Sequence, residues 1–217
     1  MLVANREYFA GYLLIFLGGL IFLLLQGKAA TFLYLNPYHI SPLDTFFTNY
    51  TYLGDGLFDV AVIVVLLVLR RWNWAIEILL AFLLSALFAQ IFKELFAMPR
   101  PREFFNNGLF EGPYTHFIKG VTLHGHASFP SGHSTSIFAL VTMLALLVPN
   151  KRLGLLFLLA GATVGYSRIY LGQHFLTDVL AGSFLGTLTA TLIHLFLGDR
   201  ISALTAKWKT QKPPASP

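Results

Sequence analysis

Lys93 and Arg100, the run Pro130-Ser131-Gly132-His133, and Arg168 with His174 and Asp178 are the residues whose types and spacing can do chemistry. They bring three cations, two histidines, a carboxylate and a Ser-Gly turn into a chain that is otherwise mostly apolar. Cations in such a setting cost free energy to keep unless something anionic meets them. The grouping points to a phosphate site at a membrane surface.

Each stretch carries its own chemistry and its own bland alternative. His174 and Asp178 lie four residues apart, which on a helix puts them on one face. A carboxylate there can accept one imidazole N–H and hold the other ring nitrogen unprotonated toward a substrate, as a base or as a nucleophile. The alternative is a satisfied polar pair between helices. Arg168, six residues earlier, is close enough at a helix end to bind the same anion through its guanidinium fork. Ser131-Gly132 precedes an apolar run, and a helix starting there offers free backbone N–H groups and a dipole that favours anions. Pro130 fixes the entry, Gly132 allows close approach, and His133 falls in the first turn. The competing reading is an ordinary N-cap with an incidental histidine. Lys93 lies near the end of another apolar run, where Pro99 and Pro101 stop the helix and hold Arg100 on a stiff, extended turn. Snorkelling toward headgroups is the alternative for these two cations.

The elements that must position these residues are set by composition. Of 217 residues, 56% are hydrophobic and only 12% charged, with a mean hydropathy of +0.67; soluble domains lie well outside this range. Six apolar segments run over 9–27, 50–69, 74–96, 134–149, 153–172 and 177–197, each near the ~20 residues that span a bilayer. They predict an all-α integral membrane bundle of six transmembrane helices within residues 1–200. Residues 201–217 read as a basic, cytoplasmic, disordered tail. The first segment is longer than a secretory signal core and reads as an uncleaved helix. The second is interrupted by Gly54, Asp55, Gly56 and Asp59, and is expected to begin as an interfacial segment around Tyr50–Gly54.

Orientation follows from the basic residues. With a cytoplasmic N-terminus, Arg6, Arg70, Arg71, Lys151, Arg152, Arg200, Lys207, Lys209 and Lys212 are inside, and Lys28, Lys93, Arg100, Arg102, Lys119 and Arg168 outside. Three of those six belong to the motifs, and without them the bias is nine to three, favouring both termini inside. All three motif stretches then fall on the external side, at the ends of the third, fourth and fifth segments. A net charge of +5 raises nucleic-acid binding, but the charges cap apolar runs and form no stripe, so no nucleic-acid partner is expected. The absence of cysteine excludes disulfides, thiolate metal sites and cysteine nucleophiles.

Taken together, Lys-x6-Arg-Pro, Pro-Ser-Gly-His and Ser-Arg-x5-His-x3-Asp occur in order, and the chain resembles the type 2 phosphatidic acid phosphatase superfamily, in its bacterial membrane lipid phosphatase branch. The resemblance is close from Lys93 to about Gly186. It implies that Lys93, Arg100 and Arg168 hold the phosphate oxygens, with Ser131 and the Gly132 N–H completing the cradle. His174 would attack phosphorus to form a phosphohistidine, Asp178 would orient and stabilise it, and His133 would protonate the leaving oxygen. No metal and no cofactor are implied, since three cations and helix-end amides can neutralise the phosphate. The expected substrate is a membrane lipid phosphomonoester or diphosphate: undecaprenyl diphosphate, phosphatidylglycerol phosphate or phosphatidic acid. The expected location is the bacterial inner (plasma) membrane, with the site facing the periplasm or exterior. A soluble phosphoester or phosphotransfer keeps the same site, and an anion transporter would use the cations without needing a nucleophile.

Other polar residues are weighed against structural roles. His124, His126 and His133 invite a metal reading, but no carboxylate accompanies them in sequence, so a pocket rim is expected. His194, Glu77 and Gln90 read as polar contacts between helices. Gly161 with Gly165, and Gly182 with Gly186, read as close helix packing within one subunit. The segment 102–129 is long enough for a functional loop, and its aromatics Phe104, Phe105, Phe110, Tyr114 and Phe117 suit an interface.

Overall fold

A computed structural model describes residues 3–37, 39–106, 118, 121 and 125–210. Among these, all regular structure is helical: α1 (Arg6–Gln26), α2 (Lys28–Leu35), α3 (Ser41–Tyr50), α4 (Gly56–Val68), α5 (Trp72–Phe96), α6 (Pro101–Asn106), α7 (Gly132–Leu147), α8 (Leu153–Tyr170) and α9 (Leu176–Thr210). Residues Phe110, Tyr114, Phe117, Lys119 and His124 lie outside the described set, so the readings that rest on them are not carried further.

Burial here is inverted relative to a soluble domain. Leu14, Leu25 and Leu57 are each more than 75% exposed, and such a continuous apolar exterior is a lipid-facing surface. Four described helices are long and apolar enough to cross a bilayer, and α3 with α4, bent by 58° around the Thr51–Gly54 turn, brings the number to five when the pair is counted as one broken span. The break falls where Tyr50–Gly54 was expected to be interfacial, and Asp55 restarts the chain as the N-cap of α4, accepting the Leu57 N–H at 3.0 Å.

By length, then, the chain carries four to five candidate spans where six were expected. The difference is α7, only 16 residues long. It is buried on almost every face, with Ile137, Phe138, Leu140, Val141, Met143 and Leu146 all enclosed. A helix wrapped by others meets no lipid, so bilayer thickness does not set its length.

Close backbone approach holds α9 against this central helix. A Cβ on Gly186 would lie 2.3 Å from the Thr135 carbonyl oxygen, and one on Gly182 2.6 Å from that of Ser131. A Cβ on Gly161 would lie 3.1 Å from Val141 Cγ2 and one on Gly165 3.0 Å from Val179 Cγ1, so both glycine pairs pack helices within the subunit. Polar pairs lock the same bundle: Tyr8 Oη with Thr142 Oγ1, both buried, at 2.6 Å, and the half-buried His194 Nδ1 with the buried Glu77 Oε2 at 2.6 Å. Gln90 differs from expectation, donating to Glu94 Oε1 one turn along its own helix at 2.8 Å.

The tail reading changes as well. Residues 201–210, expected to be disordered, continue α9, and residues 211–217 lie outside the described set. At 35 residues, α9 is ~50 Å long against a hydrocarbon core of ~30 Å, so it projects beyond the membrane. Trp72 and Trp208 meet edge to face at 6.3 Å and Arg71 sits 5.5 Å over Trp74, residue types that favour a membrane–water interface. Lys93 and Asp178 occupy the opposite ends of these same helices.

Candidate active site

Four helix ends and two loops converge at that opposite end. Helix α5 ends when Ala97 turns left-handed (φ 41°) and returns its N–H to the Lys93 carbonyl at 3.0 Å, leaving Lys93 in the last turn. Arg100 follows between the two helices, and Pro101 does more than stop a helix: it opens α6 at the position where its missing N–H costs nothing. The Arg100 N–H donates to the Gly125 carbonyl at 2.7 Å and its Nε to that of His126 at 3.0 Å. Its Nη1 donates to Gln173 Oε1 at 2.8 Å, which ties it to the residue preceding His174.

Helix α7 begins at Gly132, with Ser131 as N-cap. Ser131 Oγ accepts from the Ser134 N–H at 3.3 Å and from Ser134 Oγ at 3.0 Å, so this hydroxyl serves the cap. Gly132 and His133 are the first two helical residues, whose N–H groups precede any intrahelical acceptor. A Cβ on Gly132 would come within 3.3 Å of Lys93 Nζ. Glycine therefore lets the ammonium lie against the helix start.

His174 is not helical, contrary to the expected helical pairing; it sits in the short loop between α8 and α9. Asp178 stands at the third position of α9 and reaches back to accept the Phe175 N–H at 2.9 Å, as a carboxylate does in a capping box. That cap turns the carboxylate toward His174, whose Nδ1 lies 3.5 Å from Asp178 Oδ2. Ser128 completes the arrangement, donating to Asp178 Oδ2 at 2.5 Å and lying 3.5 Å from the same ring nitrogen. With Nδ1 facing these partners, Nε2 is the nitrogen left for a substrate. Burial pushes the His174 imidazole down to about 4, against the raising influence of Asp178, so the ring is neutral at neutral pH.

Arg168 is buried near the end of α8. Its Nη1 donates to Thr51 Oγ1 at 2.7 Å, while its buried Nε has no hydrogen-bond partner. The charges of Lys93, Arg100 and Arg168 reach His133, as does the ring of His174. Lys93 in turn feels both arginines. Three cations, two histidines and Asp178 are thus brought to the same end of the bundle. An orphaned guanidinium N–H in a cationic hollow is what a tetrahedral oxyanion would satisfy.

Some participants were not legible beforehand. Ser128, Gln173 and Thr51 hold Asp178, Arg100 and Arg168 in place, yet Ser, Gln and Thr are common enough that nothing marks them in sequence. His126 moves the other way. It pairs with Glu103 Oε2 at 3.0 Å, a carboxylate that sequence proximity did not offer. Among the described residues, no group of three or more His, Asp or Glu side chains is arranged to hold a metal.

Comparison with known proteins follows this geometry. The PAP2 superfamily profile matches residues 74–202, which includes every residue of the cationic site. The chain belongs to the PAP2 superfamily. Phosphatidylglycerophosphatase B of Bacillus subtilis is 32% identical over 169 residues, covering 71% of this chain and 75% of the relative. A lipid A 1-phosphatase of Rhizobium etli is 36% identical over 105 residues, but the match spans only 41% of that protein and 47% of this chain. The crystal structure of the first transmembrane PAP2 type phosphatidylglycerolphosphate phosphatase from Bacillus subtilis superposes with a TM-score of 0.61. That superposition covers 98% of this chain and all of the other, at 24% identity. The shared architecture is that of a transmembrane PAP2 fold.

Proposed function

We propose that this chain is an integral-membrane lipid phosphatase working through a covalent phosphohistidine without a metal ion. The observation that carries the reading is the pairing of a neutral, buried His174, backed by Asp178, with the orphaned Nε of Arg168 in a three-cation hollow. Lys93, Arg100, Arg168 and the N–H groups of Gly132 and His133 hold the phosphate oxygens. Ser131 contributes by fixing that helix start. The lone pair on His174 Nε2 forms a bond to phosphorus as the P–O bond to the lipid breaks, and His133, protonated once the incoming phosphate dianion offsets the three surrounding cations, gives that proton to the departing oxygen. Asp178 stabilises the imidazolium character that His174 gains. Water, losing its proton to His133, then breaks the P–N bond and releases inorganic phosphate. Positioning and charge neutralisation supply most of such a catalytic effect.

A lipid substrate follows from the setting, since the site lies at the ends of spanning helices where a headgroup can enter while its chains stay in the bilayer. The relatives named for lipid phosphatase activity support the same substrate class. The basic residues at the far ends of α5, α8 and α9 support a six-span topology, with α7 and the α3–α4 pair counted as spans. Both termini are then cytoplasmic and the site faces outward across the plasma membrane.

The test is release of phosphate from lipid phosphates by the purified protein in excess EDTA, followed by rapid quenching with labelled substrate. Turnover should persist in EDTA, and acid-labile, base-stable label should appear on the wild type and be absent from His174→Ala. Label at the wild-type level on His174→Ala would refute the assignment of the nucleophile. Activity abolished by EDTA and restored by divalent ions would refute the metal-free mechanism.

A further inference from the structure

His126 takes no part in the chemistry above, and its side chain is 80% exposed. It stands in residues 125–128, a segment that joins two parts of the site. On one side this segment is tied to the connection between α5 and α6. The carbonyls of Gly125 and His126 accept from the Arg100 N–H and Nε at 2.7 and 3.0 Å, and the Ser128 N–H donates to the Met98 carbonyl at 2.9 Å. On the other side, Ser128 Oγ donates to Asp178 Oδ2 at 2.5 Å and lies 3.5 Å from His174 Nδ1. Four consecutive residues therefore reach both a cation that grips phosphate and the carboxylate behind the nucleophile.

The segment is strained where it turns. Ala127 has φ 56°, in the left-handed region that costs free energy for any residue with a Cβ. Such a pose persists only where its surroundings over-determine it. One restraint comes from outside the site: His126 Nδ1 pairs with Glu103 Oε2 at 3.0 Å and fastens the segment to the first turn of α6. His126 is the one ion-pair partner that Glu103 has among the described residues, and Glu103 Oε2 is buried with no hydrogen-bond partner. That oxygen therefore depends on the imidazolium for compensation. Gly125 makes room for it, since a Cβ there would lie 3.2 Å from the same oxygen. The Phe104 N–H donates to the Arg100 carbonyl at 2.9 Å, so Arg100, the start of α6, Glu103 and His126 form a closed ring of contacts.

Resting on the phosphatase reading, we infer that Glu103 and His126 are positioning residues: their ion pair clasps the strained turn at Ala127, so that Arg100 stays aimed at the phosphate and Ser128 stays bonded to Asp178. Neither side chain acts on the substrate directly. The pair works on phosphate through Arg100, and on His174 through Ser128 and Asp178. Releasing the clasp should therefore weaken phosphate binding and slow turnover together.

The experiment measures the Kd of inorganic phosphate by titration calorimetry on the purified whole chain. In parallel it measures kcat on the best substrate among phosphatidic acid, phosphatidylglycerophosphate and undecaprenyl diphosphate in mixed micelles. His126→Ala and Glu103→Gln should each raise the phosphate Kd and lower kcat by about two- to fivefold, the scale of one exposed ion pair. The double variant should lose no more than either single one, because the two residues act as one contact. His126→Lys keeps a cation for Glu103 and should lose less than His126→Ala. Adding Ala127→Gly to His126→Ala should recover most of the loss, because glycine holds a left-handed pose without a restraint. A purely structural role would lower the melting temperature and leave the phosphate Kd of the folded protein where it was. A Kd unchanged in His126→Ala and Glu103→Gln, losses that add in the double variant, or an Ala127→Gly change that recovers nothing overturns the clasp, while wild-type turnover keeps the phosphatase reading. Phosphate binding without turnover of any of the three lipids overturns the phosphatase reading, and the clasp is then decided by Kd alone. A monodisperse, helical wild type that neither binds phosphate nor releases it overturns both.

Discussion

Replacing Asp178 with asparagine isolates the charge behind the nucleophile from its shape. The carboxylate is fully buried and accepts hydrogen bonds from Ser128 Oγ and the Phe175 N–H. An amide oxygen can keep accepting both, so α9 retains its cap and the loss of stability should stay within about 2 kcal/mol. The catalytic loss is of a different order. As His174 attacks phosphorus its ring becomes cationic, with Asp178 Oδ2 3.5 Å from Nδ1. A unit charge pair at that distance is worth ~5 kcal/mol at an effective dielectric of about 20. Since 1.36 kcal/mol corresponds to tenfold in rate, this sets a ceiling on the loss in kcat of roughly 10³–10⁴-fold. The ground-state ring is neutral, so the loss should fall on kcat with KM little changed. Steady-state phosphate release, paired with a thermal melt in the same detergent, reads both quantities. A fall in kcat of less than tenfold, or a loss confined to KM, would mean that Asp178 is a cap and nothing more.

The remaining predictions are shorter. His133→Ala should slow turnover of lipid substrates by about 10²–10⁴-fold, the usual span for a lost general acid, and by much less for an aryl phosphate whose leaving group needs no proton; equal losses on both would remove His133 from the proton-donor role. His174 is held down to about 4, so the acidic limb of kcat/KM should lie near pH 4 and not near the ordinary histidine value of ~6.5. By linkage, the unfolded ring takes up its proton first as pH falls, so folded-state stability should drop between about pH 6.5 and 4, a drop that His174→Gln should reduce. Gly186→Ala would place a methyl 2.3 Å from the Thr135 carbonyl oxygen and 2.7 Å from the Ala139 nitrogen; it should cost at least 1–3 kcal/mol by forcing α7 from α9, and an unchanged melting temperature would contradict the packing. In intact cells, Asn106→Cys should react with an impermeant maleimide and Asn150→Cys should not, and the reverse pattern would place the site inside.

What the sequence by itself determined was the chemistry and its medium. Apolar runs of bilayer length announce helices whatever their neighbours, because an unsatisfied backbone in hydrocarbon is too costly to exist. The spacings around Lys93, His133 and His174 place each residue at the end of such a run, and helix ends on one membrane face can meet. Tertiary structure decided what depends on neighbours. It enclosed α7 among the other helices, away from lipid, and carried α9 through 201–210. It also moved His174 off the helix, so that Asp178 serves the cap and the imidazole at once. Ser128, Gln173 and Thr51 acquired their roles only through folding, since a hydroxyl or amide becomes an orienting group when a buried charge needs its hydrogen bond.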